Sequence, residues 1–233
     1  MKATFFVSIM LLSSIVYSQT WFEVGLKGGP GTTFLINKNY LNDAGFEHTI
    51  TGTYFYGGKV GVNFGEANGV SLQVGRTLVQ QKFRNNYNSP DFNESHFKSN
   101  VLDLGLLYHR TKDAGYVEFG PRYSIVQTGD YSTDGIAGIG MGSGLNDSYF
   151  GVDLGFGSFL IGNERLTLMT GLRLSYGVTS ILKDDRNIAP SAAVYNERHN
   201  VNVFAAMFCL ELNYSLGYLV TSSCGRRTSW LSF

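Results

Sequence analysis

Along most of this chain, hydrophobic and polar residues alternate with a period of two. That spacing sends successive side chains to opposite faces of a β-strand. In TYFYGGKVGVNF, Tyr54, Tyr56, Val60, Val62 and Phe64 share one face, and Phe55, Gly57, Lys59, Gly61 and Asn63 the other. VLDLGLLYH sets Leu102, Leu104, Leu106 and Tyr108 against Asp103, Gly105 and His109. YVEFGPRYSIV, YFGVDLGFGSF and LTLMTGLRLSYGV repeat the pattern, and WFEVGLKGG, GVSLQVGRTLVQ and VNVFAAMFCLELNYSL complete a set of eight predicted strands. The third strand is the least regular. Arg76 falls on its apolar face, which predicts a bulge, a strand end or a rim position there. Short connections (GEAN, RTKDAG, GNER) follow strands two, four and six, whereas the other connections are long and rich in Asn, Asp, Ser and Gly. An even strand count with short turns at one end and long loops at the other predicts an all-β fold: an eight-stranded antiparallel up-and-down transmembrane β-barrel.

A soluble lipocalin-like ligand-binding barrel also alternates, with its apolar face inward. The polar face decides between the two. It carries isolated charges set among glycines, as in Glu23-x-Gly25-x-Lys27, Lys59-x-Gly61, Glu118-x-Gly120-x-Arg122, Asp153-x-Gly155 and Gly171-x-Arg173, rather than the dense Lys, Glu and Thr of a water-facing wall. An eight-stranded bore is only just wide enough for side chains to fill it, and glycine beside a long charged residue suits that crowding. The predicted inward charge network is Glu23, Lys27, Lys59, Asp103, Glu118, Arg122, Asp153, Arg173 and Glu211, of mixed sign and near neutral. Each of these charges needs a partner, because an unpaired buried charge is very costly. Aromatic residues near strand ends predict interfacial girdles: Trp21, Phe22, Phe64, Tyr108, Tyr116 and Tyr214 at one rim, and Tyr54, Tyr56, Tyr149, Phe150, Tyr176 and Phe204 at the other.

The ends of the chain fit this picture. Lys2 followed by the apolar run Ala3 to Val16 and the small-residue site near Ser18 reads as a signal peptide over residues 1–19. The barrel is expected over residues 20–216, and residues 217–233 form a C-terminal periplasmic tail. The formal net charge is zero over 233 residues, and no basic patch argues for nucleic acid. Of the two cysteines, Cys209 is predicted to face the bore and Cys224 lies in the tail, so a disulfide is not expected.

The mature N-terminal stretch VGLKGGPGTTFL, with Gly25, Lys27 and Gly29 in a G-x-K-x-G pattern, resembles the PorT-like outer-membrane β-barrel family. The architecture as a whole resembles the OmpA/OmpX-like eight-stranded barrels. The resemblance implies an integral outer-membrane protein of a Gram-negative cell, structural or accessory in protein secretion or outer-membrane assembly.

Little else in the chain suggests chemistry. The glycine run DGIAGIGMGSGLND, Asp134 to Asp147, precedes a strand rather than a helix, so it lacks the geometry of a phosphate-binding loop and reads as a mobile external loop. SHFKSN is similar to the His-x-Ser-Asn motif of a lipid A deacylase family, but the spacing is one residue too long. His96 and Ser99, three apart, would point to opposite faces of a strand, and a Ser–His hydrolase needs them in contact. His48, His109 and His199 have no metal-ligand spacing. The expectation is therefore no enzyme and no cofactor. The expected partners are outer-membrane lipid and lipopolysaccharide, a protein complex of the outer membrane, and no nucleic acid. The alternatives are a lipid A-modifying enzyme and the soluble periplasmic barrel.

Overall fold

The computed structural model describes residues 20–42, 46–65, 67–85, 94–133, 136–140, 144–163, 165–183 and 199–218. Residues 1–19, where the signal peptide is expected, and Cys224 lie outside them. The strands are β1 (Thr20–Ile36), β2 (Phe46–Thr49), β3 (Gly52–Phe64), β4 (Asn68–Asn85), β5 (Glu94–Lys112), β6 (Gly115–Thr133), β7 (Ile136–Gly140), β8 (Ser148–Gly162), β9 (Leu166–Gly177) and β10 (Asn202–Tyr218), with one short helix, α1 (Lys38–Asn42), after β1. The last strand runs two residues past Leu216. Eight strands pair antiparallel in the order β1-β3-β4-β5-β6-β8-β9-β10, and β10 returns to β1, so the sheet closes. The short strands β2 and β7 add to β4 and β6. Thus the glycine run is not wholly a loop, because its Ile136–Gly140 segment pairs with β6.

Local chemistry sets the tight turns. Gly65 (φ 63°) and Asp113 (φ 52°) adopt the left-handed conformation that closes the β3–β4 and β5–β6 connections. Between β8 and β9, the Asn163 side-chain carbonyl accepts from the backbone N–H of Arg165 (3.0 Å) and Leu166 (2.7 Å), a self-contained Asx turn.

The faces are those of an inside-out protein. Leu26 (68% exposed), Val60, Leu72, Leu106, Phe119, Leu154, Leu172 and Leu210 form a greasy belt on the outer wall. The charged residues of the same strands are buried within the bore. A soluble barrel would reverse this arrangement. A closed, even-stranded barrel with an apolar belt is a membrane-spanning barrel of the outer membrane, its short turns periplasmic and its longer connections external.

About 9–11 tilted residues suffice to span a bilayer, yet β4, β5 and β6 have 18, 19 and 19 residues. The excess lies at the external end, where the pattern inverts. Past Arg76 on β4 and Leu102 on β5, the outward residues become Lys82, Arg84, Lys98 and Glu94, while the inward rows bring in Val79, Phe83, Phe97 and Val101 alongside the buried Thr77, Gln81, Ser95 and Ser99. Water surrounds this part, so apolar side chains enter its interior. Arg76 itself sits at this rim without a bulge, in register with Tyr56 on β3 and Leu102 on β5. The bulge at this height lies on the β5–β6 ladder, where the register shifts between Asn100 and Val101.

The aromatic girdles are only partly as the sequence predicts. Phe22, Tyr54, Tyr56, Phe150, Tyr176 and Tyr214 are exposed on the outer wall. Trp21, Tyr116 and Tyr149 are instead buried. Each is an even number of residues from an inward charge on its own strand (Glu23, Glu118 and Asp153), so strand parity turns it into the bore.

An arginine in the middle of the lipid belt tests this orientation. Leu154→Arg is expected to cost about 2–4 kcal/mol in reversible urea unfolding from lipid vesicles. A change within a few tenths of a kcal/mol would mean that Leu154 does not face hydrocarbon.

Candidate functional site

The nine predicted inward charges all point into the bore, on seven different strands, and they meet. In the periplasmic half, Glu211 on β10 lies at the centre. It pairs with Lys59 of β3 at 2.5 Å and Lys27 of β1 at 3.3 Å. Lys59 also holds Glu23 at 2.8 Å, and Lys27 also holds Glu118. The five groups form one chain across the bore: Glu118, Lys27, Glu211, Lys59, Glu23. The Asn213 side-chain amide donates to Glu211 at 2.7 Å, which eases the excess negative charge.

One storey above, Arg122 of β6 lies between Asp103 (3.2 Å) and Asp153 (3.3 Å), and Arg173 of β9 pairs with Asp153. Asp103 also accepts from the hydroxyls of Thr77 and Ser124, each at 2.6 Å. Arg173 donates to the Gln73 side-chain carbonyl at 3.1 Å. Arg122 lies 5.7 Å over the Tyr149 ring, and Arg173 5.8 Å over that of Phe55. This storey is balanced, two positive against two negative.

An apolar cluster lies toward each end. Tyr116, Phe159 and Met169 pack together at the periplasmic side. Externally, Leu35, Val79, Phe83, Phe97, Val101 and Val203 from the strands close on Leu145, Ile181 and Leu182 from the external connections. Hydrogen bonds hold those connections in place: Asn146 N–H to Ile181 O (2.9 Å), Lys183 N–H to Gly144 O (3.0 Å) and Ile181 N–H to Val201 O (2.9 Å). Small cavities lie among these charges, one of about 30 Å³ among Lys59, Gln73, Asp103, Arg122 and Arg173 and one of about 20 Å³ among Asn63, His109, Glu118 and Glu211.

Glycines make room for this network. A Cβ on Gly61 would come within 2.9 Å of the Glu23 Cγ, and one on Gly155 within 2.5 Å of the Glu118 Cγ. In each case the side chain of a neighbouring strand lies over the bare backbone. Cys209 is free and buried in the bore wall beside Met207 and Ala205.

Sequence reasoning placed Asn63 and Ser124 on the inward face without giving them a role, and missed the neutral groups Gln73, Thr77 and Asn213. All are buried in the bore, and most share the parity of a charged residue on their own strand, which is the signal that would have found them. It also missed the external apolar plug. His96 and Ser99 point to opposite faces: His96 lies outward beside Lys82, while the buried Ser99 hydroxyl donates to Thr128 O at 2.8 Å. Among the described residues, no three His, Cys, Asp or Glu side chains group as a metal site.

Removing the central carboxylate tests the network. Glu211→Gln leaves each lysine one carboxylate short and is expected to cost about 3–5 kcal/mol in urea unfolding from vesicles. Gly155→Val, which crowds Glu118, is expected to cost about 1–3 kcal/mol. A Glu211 variant as stable as the parent would show that these pairs do not support the bore.

No protein family matches the chain. No curated protein matches it either. Several solved structures are similar. The outer membrane protein OprG of Pseudomonas aeruginosa is 14% identical, with 84% of this chain and 98% of that chain covered and a TM-score of 0.44. The N-terminal β-barrel domain of OprF from the same organism is 13% identical over 85% and 100%, with a TM-score of 0.40. Neisserial surface protein A is 14% identical over 83% and 96%, with a TM-score of 0.39.

Proposed function

We propose that this protein is a closed, non-conducting and non-enzymatic barrel whose role is structural or accessory, exerted through its outer wall and external surface toward a protein complex of the outer membrane. One observation supports the reading: two ion-paired storeys cross the bore, an apolar cluster lies toward each end, and the cavities described among the charges are of about 30 and 20 Å³, the size of isolated waters. A conducting pore needs a continuous wet path. A ligand-binding barrel needs a chamber of several hundred cubic ångströms. The opposed directions of His96 and Ser99 count against the lipid-modifying alternative.

The PorT-like resemblance belongs to the same proposal. Its Lys27 is the cation that links Glu118 of β6 to Glu211 of β10, and Gly25 and Gly29 flank it on the same inward row. On this reading the G-x-K-x-G pattern serves bore closure, and a contribution to protein secretion or assembly lies on the outside of the barrel.

In planar bilayers the refolded protein is expected to give no resolvable single-channel steps. Stable, ion-selective steps from the unaltered protein would contradict the closed bore. Cross-linking in native outer membranes followed by affinity purification is expected to recover a defined outer-membrane protein in constant ratio. Recovery of the barrel alone would contradict the accessory role.

A further inference from the structure

The inversion of the side-chain pattern marks the height at which hydrocarbon gives way to water. On the β4–β5 wall, this boundary carries unpaired positive charge. Reading outward along β4, the lipid-facing Leu72 and Val74 are followed by Arg76, the buried Leu78, the half-buried Gln80, and then Lys82 and Arg84. Reading the same way along β5, Leu106, Leu104 and Leu102 are followed by Asn100, Lys98, His96 and Glu94. The register places Lys98 opposite Gln80 and His96 opposite Lys82, so Lys82 and Lys98 are diagonal neighbours on one outward face.

Three acids border this face. Glu94 is committed to Arg84 at 3.5 Å, Glu47 stands opposite Arg84 on β2, and Asp130 stands opposite Lys98 on β6 without pairing with it. Among the described residues, no carboxylate forms an ion pair with Arg76, Lys82 or Lys98. His96 lies between the two lysines, and partial burial followed by their charge holds its pKa below the usual imidazole value. The face thus carries Arg76, Lys82, Arg84 and Lys98 against Glu47, Glu94 and Asp130, a small positive excess, with Arg76, Lys82 and Lys98 outside any described ion pair at the level where the outer leaflet places its headgroups.

We propose that the outer face of β4 and β5, through Arg76, Lys82 and Lys98, is a binding site for the phosphate groups of a phosphorylated glycolipid of the outer leaflet. This rests on the membrane-spanning reading above, which also fixes the occupant. A group directly above the hydrocarbon belt of an inserted barrel meets lipid headgroups first. Cations at that height attract anionic lipid, each contributing a similar increment and losing strength as salt rises. Arg76, lowest on the wall, is exposed at the edge of the belt, in register with Tyr56 and Leu102, and a side chain of its length can reach from there to headgroup level.

The test uses the full mature chain refolded in neutral detergent, titrated with bisphosphorylated lipid A and, separately, with the same lipid stripped of both phosphates, binding being counted by native mass spectrometry. The parent is expected to retain the bisphosphorylated lipid preferentially. The triple variant Arg76→Gln/Lys82→Gln/Lys98→Gln is expected to bind it about a hundredfold more weakly, from the increment per cation. Inorganic phosphate at equal concentration is expected not to compete. Equal retention of both lipids, unchanged affinity in the triple variant, or full competition by free phosphate would overturn the site. Heat-modifiable migration in detergent is read on every sample. Its loss in the parent would count against the barrel itself, whereas a triple variant that migrates like the parent but loses lipid supports the site. Glu94→Gln, which removes a nearby acid, is expected to tighten binding, and weaker binding in that variant would contradict the electrostatic account.

Discussion

Hydrocarbon offers no hydrogen-bond partner to a backbone amide, so a sheet that enters a membrane must close on itself. In this chain closure occurs with eight strands, and eight strands leave a bore narrow enough for side chains to fill. Most of what is distinctive about the sequence follows from that restriction. The inner row alternates glycine with long charged residues because two long side chains on facing strands would collide, as the closeness of Gly155 to the Glu118 stem shows. The charges come in both signs because no solvent remains to stabilise a lone one. Glu211, at 1% exposure, is tolerable only because two lysines and an asparagine converge on it.

The same restriction explains why the pattern changes along a single strand. On β5, Asp103 and Val101 share the inward row, two residues apart. One holds Arg122 and the other belongs to an apolar cluster. Beyond the boundary the outside of the sheet is wet, so the inside takes over the task of excluding water, and the polar side chains move outward as Lys98 and Lys82. The height of that inversion places the membrane edge, and with it the positively charged wall. The proposed closed bore and the cationic exterior agree in placing a role for this protein on its surface rather than through its centre.

The barrel and its bore charges were legible in the sequence because a period of two survives any uncertainty about strand ends. Lys59 and Glu118 needed only parity to be placed. Less was legible where parity meets a second rule. Trp21, Tyr116 and Tyr149 follow aromatic composition to the rim but parity to the interior, and parity prevails. The external plug was hidden because Phe97 and Val101 look like lipid-facing residues until the membrane edge is known. The pairing of Ile136–Gly140 with β6 was masked by its glycines, which carry no side-chain signal for a strand.

The orientation of the sheet is most directly measured by spin labels placed one at a time from Phe150 to Phe159 on β8 in lipid bilayers, with Cys209 and Cys224 replaced by serine. The account predicts oxygen accessibility that alternates with every residue, high at Phe150, Val152, Leu154 and Phe156 and low at Gly151, Asp153, Gly155 and Gly157, with the maxima deepest near the middle of the belt. A flat profile, or high accessibility at the Asp153 set, would contradict it.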